Sequence, residues 1–92
     1  MIRSFRNKGV RRFVEDGDSS KLSVRNIDRL AIILRQLDAA KAPEQMNLPG
    51  FFFHPLKGQE RGRFSMRVTG NFRLTFGWDG EDAIDLDLED YH

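Results

Sequence analysis

Beyond residue 50 the apolar positions recur every second residue, whereas before it most recur with the period of a helix. Phe64, Met66 and Val68 alternate with Ser65, Arg67 and Thr69. Phe72, Leu74, Phe76 and Trp78 alternate with Arg73, Thr75 and Gly77, and Ile84, Leu86 and Leu88 with Asp85, Asp87 and Glu89. Gly70-Asn71 and Asp79-Gly80 are the hairpin turns expected between these strands. Phe51-Phe52-Phe53-His54 predicts a further strand, ended by Pro55. In the N-terminal half, Ile2 and Phe5 predict a short first strand. Asn7 then caps a helix over 8–15 that Gly17 stops, with Val10, Phe13 and Val14 on its apolar side. Ser23 is the expected N-cap of a second helix reaching about Ala40, in which Ile27, Leu30, Ala31, Leu34 and Leu37 keep the 3.6-residue spacing. Pro43, Pro49 and Gly50 make 41–50 a loop with room for one helical turn. The expected fold is α+β, with N-terminal helices packed on one face of a small, mainly antiparallel sheet, in a single domain over 1–92.

Composition narrows the class. Eight phenylalanines and one tryptophan can fill a core, and the absence of cysteine excludes a disulfide framework or a thiolate zinc site. No apolar run reaches the roughly 18 residues of a membrane span. Met1-Ile2-Arg3-Ser4-Phe5 lacks the apolar stretch of a signal peptide, so the cytoplasm is the expected location. The net charge of +1 conceals segregation. Arg3, Arg6, Lys8, Arg11 and Arg12 crowd the N-terminus without an acid. Lys57, Arg61, Arg63, Arg67 and Arg73 face Glu60 alone within 54–73. Residues 79–90 carry only acids among their charged positions. Such asymmetry can leave a local basic surface that binds polyanions, or the acidic strand can neutralise its basic neighbours.

Period two settles which residues share a face. If the apolar set meets the helices, Arg67, Arg73, Asp87, Glu89 and Tyr91 lie together on the other side. Arg67 and Arg73 lie on strands joined by the Gly70-Asn71 turn, so they should sit close together across the ladder. Paired like charges cost free energy unless an anion or a neighbouring acid compensates them. The two histidines, His54 and His92, both fall at strand ends, the second preceded by Asp90 and Tyr91. Cleavage of RNA by its own 2′-hydroxyl needs a base, an acid and cations for the phosphorane. Histidine serves in either proton role near neutrality, and Lys57, Arg67 and Arg73 can stabilise the developing charge. Tyr91 can stack on a base or orient the phosphate. Asp90 can hold a histidine tautomer or act as base, although its parity is that of Leu88. These residues lack the spacing of a metal site, and neither metal nor cofactor is expected.

The same residues resemble a known family. Met1-Ile2-Arg3-Ser4-Phe5, His54-Pro55-Leu56-Lys57-Gly58, Phe64-Ser65-Met66-Arg67-Val68, Asn71-Phe72-Arg73-Leu74-Thr75-Phe76 and Glu89-Asp90-Tyr91-His92 are similar, over the whole chain, to bacterial toxins of the RelE superfamily in its HigB branch, the plasmid maintenance system killer proteins. The resemblance implies a RelE-like microbial ribonuclease fold and an endoribonuclease that cuts mRNA in the decoding site of the translating ribosome. It implies His54, Asp90, Tyr91 and His92 as catalytic residues and Lys57, Arg67 and Arg73 as phosphate contacts. Its implied partner is a HigA-type helix-turn-helix antitoxin, through which the complex meets operator DNA. Phe72 stands where the family pattern has tryptophan. The segment before His54 is more aromatic than the pattern, and Phe52 shares the parity of His54, which makes it a candidate partner or RNA contact.

Two other classes are weighed against this one. A catalytically silent relative acting on another target, as ParE toxins act on gyrase, has no reason to keep His54, Lys57, Arg73, Tyr91 and His92 together. A plain nucleic-acid-binding module is disfavoured by the net charge of +1, which instead suits an enzyme whose substrate is positioned by the ribosome.

Overall fold

The structure is a computed structural model in which residues 1–90 are described; Tyr91 and His92 lie outside the described residues. Four strands form one sheet in the order β1 (His54–Pro55), β2 (Arg63–Arg67), β3 (Phe72–Asp79) and β4 (Asp82–Asp90), each antiparallel to its neighbour. The N-terminal segment runs parallel beside β4, bridging Ile2 to Ala83 and Phe5 to Leu86. The expected first strand is thus two isolated bridges, held by the Arg3 N–H on the Ala83 carbonyl (2.8 Å) and the Arg6 N–H on the Leu86 carbonyl (2.7 Å).

The gap between the bridges has a local cause. Asp85 takes φ 53, and the β3–β4 register shifts between Thr75 and Gly77. An extra residue in one strand of an antiparallel pair makes a bulge. The Ser4 hydroxyl clamps it, accepting from the Asp85 N–H (2.8 Å) and donating to the Asp85 carboxylate (3.3 Å). The bulge also overturns one expectation from the alternation. Ile84 does not share the face of Leu86 and Leu88. It pairs with Gly77 and lies over it, so that a Cβ on Gly77 would stand 3.3 Å from Ile84 Cγ1.

Helix α1 spans Lys8–Asp16, where Asn7 accepts from the Val10 N–H and Gly17 ends the helix at φ 73. Helix α2 spans Ile27–Ala39. Its cap is Asn26, which accepts from the Arg29 N–H (3.0 Å), and not Ser23. Both types cap well; here Val24 is drawn into the core with 4% exposure, the chain bends at Arg25, and the helix begins only after Asn26. The turn expected within 41–50 is a 3₁₀ turn over Pro43–Met46, which buries Met46. The strand expected over 51–54 is only His54–Pro55. Phe52 adopts φ 54, and this left-handed step breaks the ladder while Phe51 and Phe53 still turn inward. Leu30, Ile33, Leu34 and Leu37 of α2 and Val10 of α1 meet Met66, Leu74, Phe76 and Leu86, so the helices cover one face of the sheet and the fold is α+β.

Candidate active site on the polar face of the sheet

The register lays the other face out in rows. His54 pairs with Ser65, Ser65 with Thr75, and Thr75 with Asp87. The adjacent row is Arg67, Arg73 and Glu89. Arg67 and Arg73 are therefore direct cross-strand partners; a two-residue turn at Gly70-Asn71 would have set Arg67 against Leu74, and the loop is instead 68–71, where the Val68 and Thr69 N–H groups both donate to the Phe72 carbonyl. Their compensation is divided. Arg73 Nη2 donates to Glu89 (3.0 Å), whereas the Arg67 guanidinium lies over the Phe52 ring, 4.6 Å from its centroid. Asp85 is committed to the bulge, and Asp87 accepts from the Leu88 N–H (2.9 Å).

Beneath these groups lies a buried polar layer. Arg63, Ser65 and Thr75 keep only 7%, 1% and 0% of their surface exposed. Arg63 Nη2 donates to Thr75 Oγ1 and to the Asp85 carbonyl, both at 2.9 Å, and Thr75 Oγ1 donates to Glu89 at 2.7 Å. Thr75 thus links a buried guanidinium to the carboxylate that holds Arg73. Burial alone would raise the Glu89 pKa. The hydrogen bonds from Thr75 and Arg73, and the charges of Arg73 and Arg63, outweigh it and leave Glu89 below the ordinary glutamate value. Burial, with repulsion from Arg6, draws the Arg63 pKa down, while Glu60, Glu89 and Asp85 oppose the shift. The alternation Arg63, Ser65, Arg67 could have put Arg63 and Ser65 on this face from the sequence; the charge count alone did not.

His54 is exposed at the edge of this layer. Its Nδ1 lies 3.3 Å from the Phe52 carbonyl and its Nε2 lies 3.3 Å from Ser65 Oγ. A carbonyl only accepts, so the neutral ring carries its hydrogen on Nδ1 and turns a lone pair at Nε2 toward the serine hydroxyl. Such an imidazole can take a proton at Nε2 and return it. Helix α2 supports the neighbouring row through Arg29, placed by the Asn26 cap. Its guanidinium donates to the Arg67 carbonyl (2.8 Å from Nη2) and to the Gly50 carbonyl, tying the end of β2 to the segment that leads into Phe52.

The remaining expected residues are more dispersed. Lys57 is exposed on the turn after β1, where the Leu56 N–H binds the Arg63 carbonyl (2.9 Å). Asp90 pairs with Phe72 and so takes the parity of Leu88 rather than that of Arg73 and Glu89. Tyr91 and His92 fall outside the described residues. Among the described residues, no group of three or more histidine, cysteine, aspartate or glutamate side chains is placed to hold a metal ion, and no helix is long and apolar enough to cross a membrane.

A family model for RelE-like toxins of type II toxin-antitoxin systems, the HigB-like toxins, matches residues 3–92. The chain belongs to this family. It is similar to the endoribonuclease HigB of Proteus vulgaris, with 37% identity over 92 residues that cover 100% of both chains. Solved structures share the fold at low identity. YafQ from E. coli strain BL21(DE3) superposes with a TM-score of 0.61 at 12% identity, covering 97% of this chain and 94% of that one. In the YoeB–YefM complex from Staphylococcus aureus the values are 0.59 and 15%, with 100% and 98% covered. The α+β architecture of this HigB-like toxin is thus that of the RelE-like toxins.

Proposed function

We propose that this HigB-like toxin is an endoribonuclease that cuts mRNA on the translating ribosome, using the RNA's own 2′-hydroxyl as nucleophile. The observation that carries the reading is the adjacency of two rows on one face, with His54 in one and the cross-strand pair Arg67 and Arg73 in the next. A base takes the 2′-hydroxyl proton as that oxygen attacks the adjacent phosphorus. The bond to the 5′-oxygen breaks, an acid returns a proton to it, and a 2′,3′-cyclic phosphate and a 5′-hydroxyl remain. His54 Nε2 takes one of these proton roles. Asp90, Tyr91 and His92 supply the other and orient the phosphate, and no metal enters the scheme. Lys57, Arg67 and Arg73 stabilise the charge gathering on the phosphorane. A net charge of +1 gives little affinity for free RNA, so the ribosome supplies the positioning. Full-length likeness to the Proteus vulgaris endoribonuclease supports the activity.

The partner that restrains such a toxin is an antitoxin, here of the HigA helix-turn-helix type and in contact with operator DNA; the YoeB–YefM complex is a precedent for pairing on this fold. The location of the reaction is the cytoplasm. The test is cutting of mRNA on programmed ribosomes. Arg73→Ala is expected to slow cutting on the order of tens-fold or more, and deletion of His92 to abolish it with the unfolding temperature unchanged. Full cutting by the truncated chain would remove His92 from the site. Undiminished cutting by Arg73→Ala would leave that arginine as a structural partner of Glu89.

A further inference from the structure

Phe52 is an aromatic that the hydrophobic core does not use. It is 59% exposed, between Phe51 at 8% and Phe53, whose ring stacks on Phe64 at 5.6 Å. Its backbone sits at φ 54, a region that bulky side chains rarely adopt. Among the described residues the other positive-φ positions are Asp85 and five glycines. A residue chosen for the turn alone would be glycine or asparagine, and one chosen for packing would turn its ring inward. Strain of this kind, with no gain in core packing, is a feature of functional positions.

The surroundings indicate the function. The ring meets Arg67 on the polar face, and the Phe52 carbonyl meets His54 Nδ1. Its face is occupied by a flat cation, the guanidinium of exposed Arg67 at 4.6 Å. A ring face open to one planar group is open to another, and Arg67 has a competing partner wherever a phosphate lies near Arg73. We propose that Phe52 is a stacking platform for a nucleobase of the bound RNA, covered by Arg67 until the RNA arrives. Arg67 then moves onto the phosphate and the base replaces it against the ring, which places the nucleotide beside His54. This rests on the ribonuclease reading and assigns its base-contacting residue.

The test pairs Phe52→Gly with Phe52→Tyr on programmed ribosomes at subsaturating substrate. Glycine removes the ring and adopts φ 54 without strain, so the variant is expected to unfold at the same temperature or higher. Its cutting should fall roughly tenfold to a hundredfold, the range for loss of one stacked base, while Phe52→Tyr stays within about threefold of wild type. A 2-aminopurine in the bound codon should be quenched by the wild type and not by Phe52→Gly. If Phe52→Gly cuts and quenches like the wild type, the proposal is overturned, all the more if only antitoxin binding weakens, since the ring is then a protein contact. If the wild type leaves the message whole, the ribonuclease reading fails first and this proposal with it.

Discussion

The two faces of the sheet are both closed to water near their centres, by opposite chemistry. On one, Met66, Leu74, Phe76 and Leu86 are fully buried against Leu30, Ile33 and Leu37 of α2. On the other, Ser65 and Thr75 are equally buried, beneath Arg63, Glu89 and the residues around them. The first face responds to volume, because its energy is apolar area and close contact. The second responds to partners, because a buried polar group that loses a hydrogen bond recovers nothing from water. A face of the second kind can hold cations such as Arg73 in fixed positions while leaving them near solvent, as a site for a phosphate requires.

Substitutions test how far this contrast holds, beginning with the largest effect. Phe76→Ala opens the apolar face and should cost about 3–5 kcal/mol in urea unfolding; a smaller loss would mean that the helices collapse onto the gap. Thr75→Val hardly changes volume, so the apolar logic predicts little. The loss of its bonds to Arg63 and Glu89 predicts about 1–3 kcal/mol. A neutral result would show that the polar face is held by packing after all. Asn26→Ala should cost about 1 kcal/mol, with Ser23→Ala within about 0.5 kcal/mol of wild type, and the reverse ranking would return the helix start to Ser23. The smallest effect is on pH dependence. The folded protein holds Glu89 below its ordinary value near 4.5, so this contribution to stability is present above that value and is lost as the pH falls through the lower folded one. Between about pH 5 and pH 3 the wild type should therefore lose more stability than Glu89→Gln. Parallel curves would place Glu89 outside the network.

The period-two pattern carried the three long strands, their antiparallel order and the nearness of Arg67 to Arg73, because each depends on neighbours in the chain; the exact turns did not follow, since the loops are 68–71 and Gly80-Glu81 rather than Gly70-Asn71 and Asp79-Gly80. The bulge at Asp85 did not show, since the Ser4 hydroxyl that clamps it is 81 residues away. Ile84 followed the alternation in sequence and left it in space for the same reason. Ser23 was the expected cap, but Asn26 caps equally well by residue type, and with Val24 buried the helix starts from Asn26. Whether acids or an anion would offset Arg67 and Arg73 was open in the sequence. Glu89 answers for one, and an aromatic ring, which no charge count includes, answers for the other. The parity of Asp90 was legible and agrees with its pairing to Phe72. The roles given to Tyr91 and His92 rest on family likeness and on the proposed chemistry.

The polar face is proposed to cut mRNA by 2′-hydroxyl attack. The most direct measurement is the chemistry of the ends left when the purified toxin acts on mRNA held in programmed ribosomes. One cut is expected in the decoding-site codon, leaving a 2′,3′-cyclic phosphate upstream and a 5′-hydroxyl downstream, and no cut when the nucleotide before the scissile bond is 2′-deoxy. An intact message at stoichiometric toxin, or a cut that survives the 2′-deoxy substitution, would contradict it.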